Sequence, residues 1–169
     1  MSLKEIQKFN TPDTLYDYLK ENIKYEGTAK DILLTPMEVI DNQKGHCWET
    51  ANLIYQQLTL LGYNCHLLYI GDKQCNKLTH LTVIYESDKT YNWFELWLGS
   101  KSGIIGGFCD FNNCVNAIVS YVKSEFKINN PVVKSGNTLI VENTKQIDYY
   151  RKMMRWEDIN YKSNLILKW

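Results

Sequence analysis

The pattern of apolar residues changes abruptly at Gly62, and this change constrains the fold more than any other feature of the sequence. Before Gly62 the apolar residues fall three or four positions apart, the spacing of one helix face. They are Ala51, Ile54, Tyr55, Leu58 and Leu61. Beyond Gly62, short stretches rich in β-branched and aromatic residues alternate with turn-forming residues, which indicates strands. Helices followed by an antiparallel sheet predict an α+β fold.

The remaining elements follow from the same rules. Thr11 and Thr35 each precede a proline, the pattern of an N-cap followed by the first helical position. The predicted helices span about residues 11–23, 35–42, 47–61 and 110–126, and a last helix capped at Asn143 or Thr144 runs to about Trp156. The predicted strands span residues 65–70, 79–85, 91–98 and 138–141. A chain of 169 residues fits one domain.

Nineteen basic and nineteen acidic residues give the chain a formal net charge of zero. This balance removes the electrostatic argument for binding nucleic acid or an anionic membrane surface. The aromatic residues, without accompanying positive charge, are poor indicators of base stacking. We therefore expect neither a nucleic-acid partner nor a membrane partner.

The first residues contain no apolar run suited to a signal peptide, and no stretch approaches the roughly 18 apolar residues that span a bilayer. The five cysteines lack the spacing of a disulfide scaffold, which fits a reducing compartment. These features predict a cytoplasmic protein. Paired C-x-x-C or H-x-x-x-H spacing is missing as well, so we expect no metal and no cofactor. The residues considered as zinc ligands are Cys65, His66, Cys75, His80, Cys109 and Cys114.

Cys47 stands at the predicted start of the helix that ends at Gly62, two residues after Gly45. Unpaired backbone N–H groups and the positive end of the helix dipole favour a thiolate at such a position. The thiolate is the nucleophilic form of cysteine. Gly45 lets backbone or substrate approach closely. Cys47 is therefore the candidate nucleophile.

A cysteine nucleophile needs a base that accepts its proton, and the base needs a partner that holds its ring. Of the three histidines, His46 precedes Cys47 directly. Neighbouring side chains diverge, so we expect His46 to be poorly placed as the base. His66 falls within the first predicted strand. His80 opens the second strand after a polar loop, which would place it at a sheet edge beside a cleft, and it is the candidate base.

Glu95, on the third predicted strand, is the candidate partner of His80. A two-residue loop at Ser87-Asp88 would pair the two residues directly, whereas a loop at Asp88-Lys89 would pair His80 with Trp97 and leave Glu95 one diagonal away. Either register keeps both side chains on one sheet face, roughly 5–8 Å apart at Cβ. A three-residue loop would send them to opposite faces.

Acyl chemistry also needs hydrogen-bond donors for the oxygen that becomes negative. The backbone N–H of Cys47 is the natural first donor, because a helix start offers it without a side chain. Gln43, four positions upstream, is a candidate second donor. Trp48 either shapes an acyl pocket or stabilises the oxyanion, or else it continues the apolar helix face as a core residue.

The run Gly45-His46-Cys47-Trp48 resembles the nucleophile motif of transglutaminases, in which a glycine precedes Cys-Trp by one position and a helix follows. The strand led by His80, the run Trp93-Phe94-Glu95 and the pair Gly103-Ile104 are similar to those of small bacterial transglutaminase-like proteins. The helix from Thr35 to Ile40 is similar as well. The resemblance covers about residues 31–126 and implies a papain-like cysteine fold, with a C-terminal strand and helix at about 131–160 outside it.

The resemblance implies a triad in which Cys47 is the nucleophile, His80 the base and Glu95 the orienting acid. Two positions depart from the broader superfamily. Glu95 stands where Asp is usual, although the small bacterial proteins share Glu, and His46 replaces the Gln that is common in animal enzymes. Transfer to protein glutamine is therefore not implied. The sequence also lacks a calcium-loop pattern of spaced acids.

Such a triad predicts cysteine-dependent acyl transfer, or hydrolysis of an amide or peptide, through a thioester acyl-enzyme. The expected substrate is a protein, a peptide or a small amide, and the acceptor, water or an amine, stays open. Two alternatives stay open as well. The pairs Trp48-Glu49 and Leu98-Gly99 faintly resemble arylamine N-acetyltransferases, which are typically much longer chains. The other alternative is a catalytically silent papain-like binding module.

Overall fold

The computed structural model describes residues 9–26, 31–73 and 79–161 of the chain. Its helices follow the predicted pattern closely. They are α1 (Pro12–Asn22), α2 (Pro36–Asn42), α3 (Cys47–Leu60), α4 (Phe111–Phe126) and α5 (Gln146–Met153). No helix within the described ranges is long and apolar enough to cross a membrane.

A six-stranded antiparallel sheet forms the centre of the described structure, with strand order β10-β8-β4-β5-β6-β7. Its strands, in chain order, are β4 (Asn64–Asp72), β5 (Thr79–Ser87), β6 (Thr90–Glu95), β7 (Gly103–Phe108), β8 (Pro131–Gly136) and β10 (Glu157–Asp158). Four two-residue strands form separate ribbons. They are β1 (Lys24–Tyr25), β2 (Ile32–Leu33), β3 (Lys44–Gly45) and β9 (Thr144–Lys145), paired β1 with β3 and β2 with β9.

Helices cover both faces of the sheet, and each face has its own apolar cluster. The face toward α1, α2 and α3 buries Leu67, Leu81, Val83 and Phe94. The face toward α4 buries Leu68, Ile70, Ile84 and Trp93. Strand residues therefore alternate between two buried layers, as they do in a sheet covered on both sides. The predicted α+β class, with an antiparallel sheet beneath the Cys47 helix, is confirmed.

Helix starts agree with the capping residues that the sequence indicated. The Thr11 side chain accepts a hydrogen bond from the Thr14 N–H, and the Thr35 side chain accepts one from the Glu38 N–H. Both helices have proline in the first turn. Side-chain acceptors at these positions satisfy N–H groups that have no partner within the helix.

The C-terminal part differs from the prediction in two ways. The strand expected at residues 138–141 is wrong, and β8 lies just upstream of it. Ile140 does not pair with a strand, because its N–H donates to the Asn52 Oδ1 atom at 2.9 Å. The last helix begins after Lys145 instead of Asn143 or Thr144. Asn143 instead donates to the Glu38 carboxylate at 2.8 Å, and Thr144 pairs with Leu33 in the small ribbon.

The third predicted strand ends at Glu95 instead of continuing to Leu98. The Glu95 carboxylate causes this, since its Oε1 atom accepts a hydrogen bond from the Trp97 N–H at 2.8 Å. When a side chain accepts a hydrogen bond from the backbone N–H two residues later, that N–H cannot pair with a neighbouring strand and the chain turns. The chain then forms a short 3-10 turn at Gly99–Lys101 before β7.

Candidate active site

Cys47 is the first residue of α3, and its half-buried thiol faces the start of β5. The Sγ atom lies 3.9 Å from the carbonyl oxygen of Thr79, the residue before His80. The N-terminal end of α3 and the first residues of β5 therefore meet at one place. Helix dipole, thiol and candidate base are brought together there.

His80 and Glu95 form a buried ion pair, with Nε2 and Oε2 2.8 Å apart. Their side chains are only 7% and 2% exposed. Because the second Glu95 oxygen accepts from the Trp97 N–H, both carboxylate oxygens are held. The Nε2 atom of His80 is thus occupied by the acid, which leaves Nδ1 as the ring atom for the thiol.

The hairpin between β5 and β6 uses the second of the two predicted registers. Asp88 and Lys89 form its loop with φ angles of 50° and 63°, and Val83 pairs with Phe94. Two positive φ angles in a two-residue loop define the type I′ turn that matches strand twist. Glu95 therefore lies one diagonal from His80, close enough for the hydrogen bond.

The electrostatics of the site favour an ion pair between sulfur and imidazole. Burial raises the pKa of the Cys47 thiol, but hydrogen bonds from His46 and His80 outweigh it and lower that pKa to about 6. Burial likewise opposes charging of His80, yet Glu95 and Cys47 raise its pKa to about 10. Burial opposes charging of Glu95 as well, and the adjacent His80 keeps the pKa of this carboxyl below its usual range.

His46 contacts the thiol, contrary to the expectation that its side chain would diverge from that of Cys47. The reason is that His46 is the N-cap of α3, with extended backbone angles of −95° and −178°. Its ring folds back over the first turn, where Nδ1 accepts a hydrogen bond from the Trp48 N–H at 3.1 Å. Since Nδ1 is engaged as an acceptor, His46 supports the thiolate but is poorly suited to take its proton.

Glu49 is a fully buried carboxylate whose role in capping α3 was not predicted from the sequence. Its Oε2 atom accepts from the His46 N–H at 3.0 Å, and its Oε1 atom accepts from the Leu34 N–H at 2.7 Å. Together with the His46 ring, which accepts the Trp48 N–H, it forms a capping box at the start of α3. The capping box is hard to recognise in the sequence because histidine is not among the favoured N-cap residues. The box fixes the turn that carries Cys47.

A cavity of about 440 Å³ opens beside Cys47 and His80. The described residues that line it are Tyr25, Cys47, Ile70, Thr79, His80, Trp97, Leu98, Val122, Phe126 and Ile128. Trp97 is held in this wall because its indole N–H donates to the Thr50 hydroxyl at 2.8 Å.

Gln43, the candidate second oxyanion donor, and Trp48, for which a pocket role and a core position were both open, lie away from the cavity wall. Gln43 is exposed and ends α2 in a left-handed conformation, with φ 52°. Trp48 is 4% exposed and stacks on Tyr150 within the core, with ring centroids 6.4 Å apart. Neither is among the described residues that line the cavity.

Tyr25, and not Gln43, lines the cavity together with Cys47. Strand β1 pairs in parallel with β3, so that Tyr25 lies opposite Gly45, two residues before Cys47. Its ring packs on Trp97 with centroids 5.2 Å apart. Partial burial, followed by the proximity of Cys47, raises the pKa of the Tyr25 hydroxyl, which keeps it a hydrogen-bond donor.

The cysteines considered as zinc ligands are scattered. Cys65 and Cys114 are buried in the two apolar clusters, and Cys109 is exposed. Cys75 lies outside the described residues. Within the described ranges, no three His, Cys, Asp or Glu side chains are grouped so that they could hold a metal ion.

No protein-family model and no curated protein matches the chain. Among solved structures, LapG from Legionella pneumophila is 16% identical with a TM-score of 0.49, over 85% of this chain and 75% of LapG. An EGTA-treated LapG structure is 16% identical with a TM-score of 0.48, over 86% of this chain and 77% of that one. A candidate cysteine protease from Cytophaga hutchinsonii is 13% identical with a TM-score of 0.47, over 95% of this chain and 53% of that one. Likeness at this level does not extend to activity or substrate.

Proposed function

We propose that the chain is a cysteine-dependent acyl-transfer or amide-hydrolysing enzyme that uses Cys47, His80 and Glu95 as a triad. The observation that carries the proposal is the buried His80–Glu95 ion pair at 2.8 Å, with the Cys47 thiol in hydrogen-bond contact with the same ring. A nucleophile, a base and a group that orients the base are the parts that such catalysis requires.

In the proposed reaction, the Cys47 thiolate attacks the carbonyl carbon of an amide or ester. The C–S bond forms as the carbonyl π electrons move to oxygen. The His80 imidazolium then gives its proton to the leaving amine or alcohol as the carbonyl carbon–heteroatom bond breaks. Glu95 stays ionised and stabilises the imidazolium. Water or an amine next attacks the thioester, loses its proton to His80 and releases the thiolate.

Two donors are proposed for the oxyanion. One is the backbone N–H of Cys47. Cys47 is the first residue of α3, so its N–H has no acceptor within the helix. The other is the Tyr25 hydroxyl, supported by its position opposite Gly45 and in the cavity wall. Donors aimed at the charge that develops in the transition state commonly contribute the largest part of catalysis in such sites.

A trapping experiment tests this proposal. The protein is mixed with 4-nitrophenyl acetate, quenched in acid and weighed by mass spectrometry, with peptide mapping of the adduct. We expect one acetyl group on Cys47 in the wild type, none in Cys47→Ala, and greatly slowed formation in His80→Ala. Cys109→Ala, which removes an exposed thiol outside the site, should behave like the wild type.

An adduct that forms equally fast in His80→Ala would remove that residue as the base. If Cys47 stays unmodified while Cys109 reacts, the chain is instead the silent binding module. The hydrolase and transferase forms are separated by adding a primary amine during turnover. An acyl-amine product identifies a transferase, and free acid alone identifies a hydrolase.

A further inference from the structure

The cavity beside Cys47 is apolar apart from the end where the reaction would occur. Its described polar lining groups are those of Cys47, Thr79 and His80 and the Tyr25 hydroxyl, and the other described lining residues are aliphatic or aromatic. Its volume of about 440 Å³ falls within the range of small-ligand pockets, which is roughly 300–1,000 Å³. None of the described lining residues carries a carboxylate, an ammonium or a guanidinium group.

Rigid elements supply the apolar wall. Ile70 lies on β4 directly opposite His80, and Val122 and Phe126 are one turn apart on α4. Ile128 follows the end of that helix, and its N–H donates to the Lys123 carbonyl oxygen at 3.1 Å. Ile70 and Val122 are fully buried. Because the main chain is fixed on this side, the wall is already shaped for an occupant.

We propose that this cavity receives an apolar acyl group, meaning a branched aliphatic, linear aliphatic or aromatic substituent on the carbonyl that Cys47 attacks. The inference rests on the proposed function, since it needs an acyl group on Cys47. A substituent on that carbonyl carbon is held within bonding distance of the sulfur, and the sulfur itself lines the cavity. An ionised acyl group would lose its hydration there, and the charged His80 ring in the described wall is already paired with Glu95 at 2.8 Å.

The test compares esters that share a leaving group and differ in the acyl chain. The thiolate sulfur bonds to the ester carbonyl carbon, the C–O bond breaks, and nitrophenolate departs with the bonding electrons. The probes are 4-nitrophenyl hexanoate and the 4-nitrophenyl monoester of adipic acid, which have six-carbon acyl chains and differ by a terminal carboxylate. Free N-acetylcysteine supplies the intrinsic reactivity ratio of the two esters.

We expect the protein to prefer hexanoate over adipate about tenfold or more beyond the free-thiol ratio, because placing an ionised carboxylate in an apolar cavity costs free energy that a methyl group does not. Phe126→Lys should reduce this preference to near the free-thiol ratio, since its ammonium group would pair with adipate in the cavity. The matched control is Phe111→Lys, a half-buried phenylalanine at the other end of α4 and outside the described cavity lining, which should keep the preference.

The outcomes separate the two proposals. If Cys47 forms thioesters from both esters at the free-thiol ratio, the apolar acyl site is excluded while the triad stands. If no ester acylates folded protein at Cys47, the proposed function fails and the inference fails with it. Thermal unfolding shows whether Phe126→Lys is folded. If it is not, the ratio of the two ester rates in the wild type still decides the test.

Discussion

Two imidazole rings, those of His46 and His80, lie close to the Cys47 thiol. His46 belongs to the helix cap, and its Nδ1 atom is engaged by the Trp48 N–H. His80 belongs to the sheet, and Glu95 keeps it protonated. The two rings therefore differ, since His80 is charged and paired with Glu95, whereas the His46 ring is held by the Trp48 N–H. Both oppose the penalty that burial places on the thiolate.

The pH dependence of Cys47 alkylation tests this arrangement. Since the pKa of the thiol is lowered to about 6, the rate of iodoacetamide labelling should rise as pH increases through about 6 and then level off. An unperturbed thiol would follow a curve centred near about 8.5. Labelling is followed by peptide mass spectrometry, with exposed Cys109 as the internal reference.

His80→Ala should move the Cys47 midpoint to higher pH, because it removes a positive charge and a hydrogen bond. His46→Ala should move it in the same direction. A wild-type midpoint near 8.5, or labelling no faster than that of Cys109, would contradict a catalytic thiolate.

Glu95→Gln tests the acid. Glu95 and Cys47 together raise the pKa of His80 to about 10, so the imidazolium persists up to that pH. The amide keeps an oxygen for the Trp97 N–H but removes the negative charge. We expect acylation to fall by roughly 10²–10⁴-fold, leaving a measurable residue, as when a triad acid is neutralised. The alkaline limb of the pH–rate profile should move from near 10 to lower pH.

The Glu95→Gln effect can be separated from a loss of structure. Urea unfolding at neutral pH checks that the variant remains folded, and Glu86→Gln on the neighbouring strand is the matched control. Unchanged activity with an unchanged alkaline limb would mean that Glu95 does not hold the base.

Tyr25→Phe tests the second oxyanion donor. The substitution removes the hydroxyl and keeps the ring that packs on Trp97. We expect kcat to fall by about tenfold or more, since loss of an oxyanion donor costs up to about 10²–10³-fold. KM and the Cys47 labelling midpoint should change little. Tyr91→Phe, a half-buried tyrosine on β6, is the control, and equal kcat values for the two variants would exclude the role.

At the scale of elements, the β5–β6 hairpin sets the distance between His80 and Glu95. Lys89 adopts φ 63° in its loop, a conformation that favours glycine. Lys89→Gly should therefore raise the free energy of unfolding by about 1 kcal/mol, because the left-handed conformation costs a side-chain-bearing residue roughly 1–2 kcal/mol. Urea denaturation measures the effect.

Ser87→Gly provides the opposite control, because Ser87 is a strand residue without a positive φ angle. It should lower the free energy of unfolding by about 0.5–1 kcal/mol. If Lys89→Gly also destabilises the protein, the type I′ turn is not the conformation that fixes the register.

Some elements could be predicted from the sequence because their signals are local. Thr35 and Pro36 mark a helix start by chemistry that acts within one turn. The β7 segment at Gly103–Phe108 was missed because its three glycines weaken strand propensity. Strand β8 was missed because it begins with Pro131, which has no backbone N–H to donate to a neighbouring strand. Proline is nonetheless tolerated as the first residue of a strand.

At the scale of the molecule, Asn52 connects the Cys47 helix to the C-terminal part. Its amide nitrogen donates to the Tyr149 hydroxyl at 2.9 Å and to the Trp48 carbonyl oxygen at 2.8 Å. Its amide oxygen accepts the Ile140 N–H at 2.9 Å. One fully buried side chain thus holds α3, α5 and the segment between β8 and β9 together.

Asn52→Ala should lower the free energy of unfolding by about 2–3 kcal/mol, because it leaves buried polar groups unpaired. For a chain of this size, that corresponds to a fall in Tm of roughly 5–10 °C. Calorimetry measures it, and Asn112→Ala, at an exposed position of α4, should change Tm little. A Tm within a degree of the wild type would show that the network contributes nothing to stability.

The proximity of His80 and Glu95 could be predicted from sequence because strand periodicity and a short loop leave only two registers. The apolar cavity could not be predicted from the sequence. Val122 and Phe126 follow the same helical spacing as any core residue, and the space beside them depends on how α4 packs over Ile70. The contact of Tyr25 with the site could not be predicted either, since it depends on a two-residue parallel pairing with β3. Single-sequence patterns do not encode such long-range pairings.

Cys47 differs from the buried thiols of Cys65 and Cys114 in how readily an oxidant would attack it. Burial raises the pKa of Cys65 to about 11 and raises that of Cys114 as well, so both remain protonated when Cys47 is ionised. Peroxides attack thiolates and convert them first to sulfenic acid and then to sulfinic acid, which is generally irreversible. Among these three thiols, oxidation would therefore reach Cys47 first, at the helix start, before either thiol of the apolar layers. Oxidation of Cys47 would block the proposed acylation, because a sulfinic acid is no longer a nucleophile.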